Sequence, residues 1–386
     1  MENKLGSIKI STPRLLSTTV FSVLLILTGC IEPYNPPAIT DTIDILVVDG
    51  FLNGTDSSAT VQLSKATPLA NGEGRVPELN ASVRVEDETG NHFPLTEIGN
   101  GNYLGTKLPV NSSLTYRLFV STNSRKEYVS DYVELKATPP IDSVTYGKSP
   151  QSDGLIIYMH AHDPSNNTRY YQWTYQETWE YTAGYFSSLK IKDGVVVVQD
   201  ENIYQCWNSR PSTEINISST TQLTNDAIRN FELQYIPKGS QKISRRYCLE
   251  IQQRALTKEA YNFWLQLKKT TESLGSLFDP LPSEVVGNLR STTETAQPVL
   301  GYFSGGTVST KRIFIDFSDL PSELVNTITK FCPTDTIRLI DVDTRPDMNL
   351  ISSFGTPFIQ GYTTSFNSNC LDCRDGGGKN VRPDFW

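Results

Sequence analysis

One segment constrains the fold of this chain more than any other, because it has a clear helical period among short apolar runs. Its largely apolar positions recur at i, i+3, i+4 and i+7, the spacing of one helix face. They are Ala260, Phe263, Trp264, Leu267, Thr271 and Leu274. The pattern predicts a helix over 257–274, with Thr257 as N-cap and Gly275 as the left-handed residue that ends it. Leu256 can pack on Tyr261 as a hydrophobic staple. We expect this helix to be a packing element that covers a face or end of a β-sheet.

The first 29 residues have the pattern of a lipoprotein signal. The charges of Lys4, Lys9 and Arg14 precede an apolar run over 20–27, which is too short to span a bilayer as a mature helix. The letters LTGC then end at Cys30 and resemble the bacterial lipobox. That pattern implies cleavage before Cys30 and attachment of lipid to its sulfur and amine. An alternative is an ordinary signal peptide followed by a chance cysteine.

Residues 30–41 contain three prolines and no apolar period, so they predict an extended tether. No later run of 18 apolar residues occurs, and the sequence therefore predicts no transmembrane helix. The net charge of −8 argues against nucleic acid or anionic lipid as a direct partner.

The rest of the chain predicts a mainly β protein of two domains. In 42–137, short strands alternate with turn clusters that contain Gly and Asn, which favours an Ig-like β-sandwich. The predicted strands are Ile43–Phe51, Ala59–Leu63, Ala81–Glu86, His92–Glu97 and Leu114–Val120. Thr138-Pro139-Pro140 breaks the strand pattern, so we place a domain boundary there.

Residues 138–386 predict a larger β-rich domain of α+β character that carries the prominent helix. Its predicted strands are Gly154–His162, Tyr170–Tyr181, Gly194–Gln199, Arg245–Gln253, Pro298–Phe303 and Lys311–Phe317. Two shorter helices are predicted near Asn225–Phe231 and Ser322–Phe331.

Several stretches together resemble one protein family. They are the lipobox, LVVDGFLN, SVRVEDETGN with a later GNYLG, ATPPIDSV, DPSNNTRYYQWTYQETWEY, the segment from RRYCLEIQQ through the helix to FDPLPSEVVGN, VLGYFS and PDFW. The chain resembles the lipoproteins of Bacteroidota grouped as domain of unknown function 4249. The resemblance implies an outer-membrane lipoprotein encoded beside a TonB-dependent transporter, and it implies no settled biochemical activity. Cys248 departs from the small polar residue expected at its position.

Five cysteines remain besides Cys30, and disulfides persist in exported proteins. The odd number favours two bridges and one free thiol, which we expect to be Cys248. The disulfide candidates are Cys206, Cys332, Cys370 and Cys373, with bridges from the first two to the Cys-x-x-Cys pair. The sequence leaves the pairing open. A redox motif or a zinc site at this pair is disfavoured, because neither a βαβ unit nor a second Cys-x-x-Cys is present.

Two further patterns have both a structural and a functional interpretation. His160 and His162 lie on one strand face and could bind a metal, but the sequence supplies no third ligand and we predict no metal site.

The odd positions of the strand 170–181 are almost wholly aromatic. Such a face is usually core, and the alternative is a binding face. The residues of that alternative face are Trp173, Tyr175, Trp179 and Tyr181.

The common catalytic and phosphate-binding motifs are missing, and the Gly376–Gly378 run does not follow a strand. We therefore predict a non-enzymatic protein without a cofactor. The leading hypothesis is a binding or accessory partner of a TonB-dependent transporter, anchored in the outer membrane by its N-terminal lipid. The alternatives are a surface adhesin or envelope-assembly component and, less favoured, a hydrolase. The sequence does not distinguish the periplasmic from the cell-surface face.

Overall fold

The computed structural model describes residues 45–66, 75–272, 285–293, 298–324, 332–355 and 360–386. The predicted signal, the lipid attachment at Cys30 and the tether lie outside these ranges. The described residues are mainly β, as the sequence predicted. Gly275 and Leu274, at the predicted end of the long helix, also lie outside them.

The first nine strands come from the predicted N-terminal domain. They are β1 (Leu46–Asn53), β2 (Ser58–Lys65), β3 (Val76–Pro77), β4 (Ser82–Asp87), β5 (His92–Gly99), β6 (Asn102–Gly105), β7 (Thr115–Ser121), β8 (Glu127–Ser130) and β9 (Val133–Glu134).

The later elements include one α-helix among the described residues. They are β10 (Ile141–Lys148), β11 (Gly154–His162), β12 (Tyr170–Thr182), β13 (Leu189–Lys192), β14 (Val195–Val198), β15 (Gln205–Pro211), β16 (Asn216–Ser219), β17 (Ala227–Pro237), β18 (Arg246–Ala255), α1 (Lys258–Glu272), β19 (Leu289–Ser291), β20 (Val299–Gly306), β21 (Val308–Asp316), β22 (Asp335–Arg338), β23 (Met348–Leu350), β24 (Ser352–Gly355) and β25 (Gln360–Thr364). Short 3-10 turns lie at Gln241–Ile243, Phe317–Asp319, Leu339–Thr344, Ser368–Cys370 and Cys373–Gly376.

The first sheet has the strand order β19-β8-β7-β4-β5-β6-β2-β1-β20, with β3 and β9 paired at its side. Its two ends approach each other through one side chain. The Asn288 amide donates to the Phe303 carbonyl oxygen over 2.8 Å, and its Oδ1 accepts from the Phe303 N–H over 2.9 Å. The sheet is thereby nearly closed around a core of Val, Leu, Tyr and Phe side chains.

Two strands from after the helix complete this sheet. β20 pairs in parallel with β1, and β19 pairs antiparallel with β8. Gly301 permits the close approach of β20, because it has a φ of +119° and a Cβ there would lie 1.7 Å from the Val48 carbonyl oxygen. The sheet of the predicted N-terminal domain thus also contains Leu289–Ser291 and Val299–Gly306. The domain boundaries themselves stay predictions.

A second body consists of two sheets packed face to face. One has the order β10-β11-β17, and the other has the order β15-β12-β18-β21 with β16 beside β12. Apolar side chains from both sheets form one core. The predicted helix at Asn225–Phe231 is wrong, because residues 227–237 pair along β11 as a strand. Phe231 lies in that strand with its ring 4.4 Å from Trp173. Of the predicted helix at Ser322–Phe331, only residues 322–324 are described, and they form a turn.

The long helix is present and lies between the two bodies. The Thr257 hydroxyl caps it by accepting the Ala260 N–H over 3.2 Å. Phe263 is buried against Tyr302 of β20, with 5.2 Å between ring centroids. Helix α1 also contacts β12 and β16 of the second body. It is therefore a packing element that covers sheets, as predicted.

Two three-stranded sheets are built from strands after residue 334 together with β13 and β14. Their orders are β14-β13-β23 and β22-β25-β24. Among the described residues, the buried members of their shared core are Ile191, Ile337, Val342 and Leu350. A core this small stabilises little by itself, and covalent links normally supplement such cores.

Candidate functional site

The aromatic side chains of β12 lie in the core of the second body. Their exposed fractions are 0% for Tyr171 and Trp173, 6% for Tyr175, 4% for Trp179 and 1% for Tyr181. The binding face considered for Trp173, Tyr175, Trp179 and Tyr181 is therefore corrected. The face is covered because the sheet β10-β11-β17 packs on it. These residues are core, which was the other interpretation of the pattern.

Most polar atoms of this buried face find partners inside the protein, whereas the buried indole Nε1 of Trp179 has no hydrogen-bond partner among the described residues. The indole N–H of Trp173 donates to Gln253 Oε1 over 2.8 Å, and the Tyr171 hydroxyl donates to Asp226 over 3.0 Å. The buried Glu177 carboxylate binds Lys242 Nζ at 2.6 Å and the Tyr247 hydroxyl at 3.0 Å. Such pairing is what burial of polar groups requires. These residues therefore serve the packing of the body.

Two disulfides fix the C-terminal segment. They join Cys206 to Cys373 and Cys332 to Cys370, and Cys248 is free and buried. The structure thus supplies the pairing that the sequence left open. The Tyr181 hydroxyl donates to the Cys373 carbonyl oxygen over 2.7 Å, so the bridged loop is also held on β12.

The two histidines of β11 have separate partners on β10. His160 Nε2 lies 2.9 Å from the Thr145 hydroxyl, and His162 Nδ1 lies 2.7 Å from Asp142 Oδ1. Within the described ranges, no three His, Cys, Asp or Glu residues are grouped to hold a metal ion. The histidine pair acts here as a set of cross-strand contacts.

A cavity of about 330 Å³ lies where residues 134–139 meet the loop 163–168. Thr138 fixes the first wall, formed by residues 134–139, because its hydroxyl accepts the Ala255 N–H over 2.9 Å. In this wall, Lys136 and Glu134 form a long ion pair, with 3.5 Å between Lys136 Nζ and Glu134 Oε1. The described lining residues include no His, Cys or Tyr. The cavity can therefore admit a small polar molecule, and its lining supplies no nucleophile paired with a histidine base.

Asp163 fixes the second wall of this cavity. Its carboxylate accepts the backbone N–H groups of Ser165, Asn167 and Thr168 over 2.9, 3.0 and 2.8 Å. Burial acts to raise the pKa of Asp163, but these hydrogen bonds outweigh it and hold the pKa at about 2. The ionised carboxylate is therefore occupied by the hydrogen bonds that fix the shape of the loop. The sequence indicated both walls as turn-rich stretches, ATPPIDSV and DPSNNT, but gave no sign that they meet.

These observations define a mainly β protein with a nearly closed sheet, a disulfide-fixed C-terminal segment and a polar cavity. A family model described as Domain of unknown function (DUF4249) matches residues 31–312, and the chain belongs to this family. A comparison with curated proteins finds no match. In the described part of the chain, no helix is both long and apolar enough to cross a membrane.

Proposed function

We propose that this protein is a non-enzymatic outer-membrane lipoprotein that acts as a binding or accessory partner of a TonB-dependent transporter. The observation that carries the proposal is the sequence LTGC at Cys30, directly after a short apolar run and before a proline-rich tether. Lipid on Cys30 would anchor the body, since burial of acyl chains contributes about 0.8 kcal/mol per CH₂. The anchor leaves the folded body free to contact a neighbouring protein.

Two features of the body support this proposal. Two disulfides suit a protein of the oxidising cell envelope. The carboxylates Asp163 and Glu177 are bound to donors inside the protein, so neither is poised for acid–base catalysis. A binding role agrees with both features.

The anchoring is tested by replacing Cys30 with Ala in the full chain. We expect Cys30→Ala protein to leave the membrane fraction, because the acyl chains are then absent. Cys248→Ala is the matched control, since it removes a cysteine outside the lipobox and leaves the anchor intact. Retention of Cys30→Ala protein in the outer membrane would exclude lipid as the main anchor.

The partner is tested by purification in mild detergent from cells that keep the native neighbours. A stoichiometric TonB-dependent transporter in the purified complex would support the accessory role. Purification of the anchored protein without a transporter would favour the adhesin or envelope-assembly alternative.

A further inference from the structure

The strand β14 forms one edge of its small sheet and is paired on one side only. The sheet has the order β14-β13-β23, and β14 runs antiparallel to β13. Asp193 and Gly194 form the turn between the two strands, with φ values of +53° and +74°. This left-handed backbone is the one that a two-residue hairpin needs. The hairpin is therefore regular, and its hydrogen-bond pattern fixes which backbone groups of β14 face outward.

Two residues of β14 direct their backbone groups away from β13. The Gln199 N–H donates to the Ser188 carbonyl oxygen over 2.9 Å, so these two residues form a hydrogen-bonded pair. Hydrogen-bonded and non-hydrogen-bonded pairs alternate along an antiparallel ladder. In this register Val196 and Val198 fall in the non-hydrogen-bonded pairs. Their N–H and C=O groups thus point outward, and they have no hydrogen-bond partner in the part of the chain that the structure describes.

The side chains of this edge are apolar and reach solvent. All four residues of β14 are valine, and Val195 and Val198 are 60% and 72% exposed. Val196 packs on the small core, and Val198 continues the same face of the strand beyond it. The 3-10 turn Leu339–Thr344 contacts β14 and adds Ile340, which is 75% exposed. An apolar edge with open backbone groups is a template for another strand.

Other edge strands of this protein carry features that block such pairing. β17 has Arg229, Glu232 and shifts in its register with β11. β21 carries Lys311 and Arg312, and β15 ends at Pro211. Charged side chains, proline and bulges are the usual protection of an exposed edge. β14 has no charge, proline or bulge, and although it is short, its two outward residues supply backbone groups for pairing.

The turn end of this edge is acidic. The Asp193 N–H donates to Asp347 Oδ1 over 2.9 Å, and a Cβ at Gly194 would lie 3.2 Å from the Cα of Asp343. The three aspartates form no ion pair with another described residue. Lys192 on the same hairpin offsets one of their charges. The net negative charge therefore favours a basic side chain on whatever pairs with β14.

We propose that β14 is a docking edge for an extended segment of a partner protein, which adds to the sheet as a further strand. The segment has alternating apolar side chains and a basic residue near the acidic turn. Its backbone bonds the outward groups of Val196 and Val198, which is how strand addition supplies affinity. Its apolar side chains cover Val198. None of these residues lines the cavity at 134–139, and the inference goes beyond the proposed accessory role.

The experiment measures the fluorescence anisotropy of a labelled peptide, Lys-Val-Thr-Val-Thr-Val-Lys, during titration with the full chain in detergent. Lysine at both ends places a basic residue at the acidic turn in either strand direction. We expect the peptide to bind. Val196→Pro removes an outward N–H and keeps the ladder to β13, so it should weaken binding about tenfold or more. A peptide with glutamate at both ends should bind about threefold more weakly or worse.

A second variant tests the same edge through its side chains. Val198→Lys places a charge on an exposed position, where folding should be unaffected, and it should also weaken binding about tenfold or more. Ile98→Lys is the matched control, because Ile98 is 64% exposed on β5 of the first sheet. This control should leave the affinity unchanged.

Four results would overturn the proposal. They are the absence of peptide binding at millimolar protein, unchanged affinity in both edge variants, an equal loss of affinity in Ile98→Lys, and equal affinity for the lysine and glutamate peptides. Sedimentation provides the test against self-pairing. A dimer of the full chain that Val196→Pro converts to a monomer would assign the edge to a second copy and would exclude a partner segment.

Discussion

Strand β12 and helix α1 carry the two aromatic stripes of this chain, and they are buried to different degrees. On β12 the aromatic side chains lie between two sheets and are almost inaccessible to solvent. On α1, Phe263 is buried, whereas Trp264 in the same stripe is only partly buried. The difference teaches that an aromatic stripe reports a packing face, while the number of covering layers decides how deeply it is buried.

The largest expected effect is on the β12 side of this comparison. Trp179→Ala should lower the free energy of unfolding by about 3–5 kcal/mol, because a buried ring leaves a cavity between two sheets. Chemical denaturation measures the loss, and Trp179→Phe is the control that keeps an aromatic ring. A nearly unchanged melting temperature together with weaker co-purification of a transporter would restore the binding-face interpretation.

A smaller effect is expected on the helix side. Trp264→Ala should cost about 1–3 kcal/mol, because part of the ring already faces solvent and less apolar area is lost. Phe263→Ala on the same stripe is the matched comparison, and it should cost more because Phe263 is buried. Equal or larger destabilisation by Trp264→Ala than by Trp179→Ala would show that the helix stripe is the deeper core.

The loop that leads into β12 gives a pH-dependent effect. The folded-state pKa of Asp163 is about 2, against an ordinary value of 3.8. Its contribution to stability is therefore complete above pH 4 and is lost as the pH falls from about 4 to about 2. Asp163→Asn should lower the free energy of unfolding by about 1–2 kcal/mol at pH 7. This difference in stability from the unmodified protein should disappear near pH 2. Denaturation curves at both pH values measure it, and a gap that does not change with pH would contradict this role.

The smallest effect concerns the free thiol on the strand next to β12. Cys248 is buried, and burial raises the pKa of its thiol to about 11, so the native protein should react slowly with iodoacetamide. After unfolding without reduction, intact-mass analysis should show one labelled thiol. Cys248→Ala protein should show none and should lose only about 1 kcal/mol. Labelling of Cys370 or Cys373 in the unreduced protein would contradict the two disulfides.

The elements best predicted from sequence are those with a long local period. The helix and the strands at 154–162 and 170–182 needed only periodicity and caps. The number of disulfides followed from the odd count of cysteines, and the free thiol at Cys248 from its departure from the family pattern. The strand β17 was mistaken for a helix, because its pairing along β11 outweighs the local pattern. The small sheets β14-β13-β23 and β22-β25-β24 were mostly missed, since strands of three to five residues give little periodic signal.

The candidate sites were less predictable than the fold. Period-two alternation is the same for a core face and an exposed face, so it could not decide the role of Trp179. The cavity joins residues 134–139 to 163–168, two stretches that are separate in the chain. No local pattern encodes such a meeting, because it depends on how the sheets and the helix pack.

The parallel pairing of β1 with β20 has a consequence for the order of events during synthesis. Val299 follows its partner Leu46 by 253 residues. At a synthesis rate of roughly 5–20 residues per second, about 13–50 s pass between the synthesis of β1 and the synthesis of β20. During that time the backbone N–H and C=O groups of the β1 edge are open to pairing with other chains. The strands made first therefore depend on strands made much later to complete their sheet.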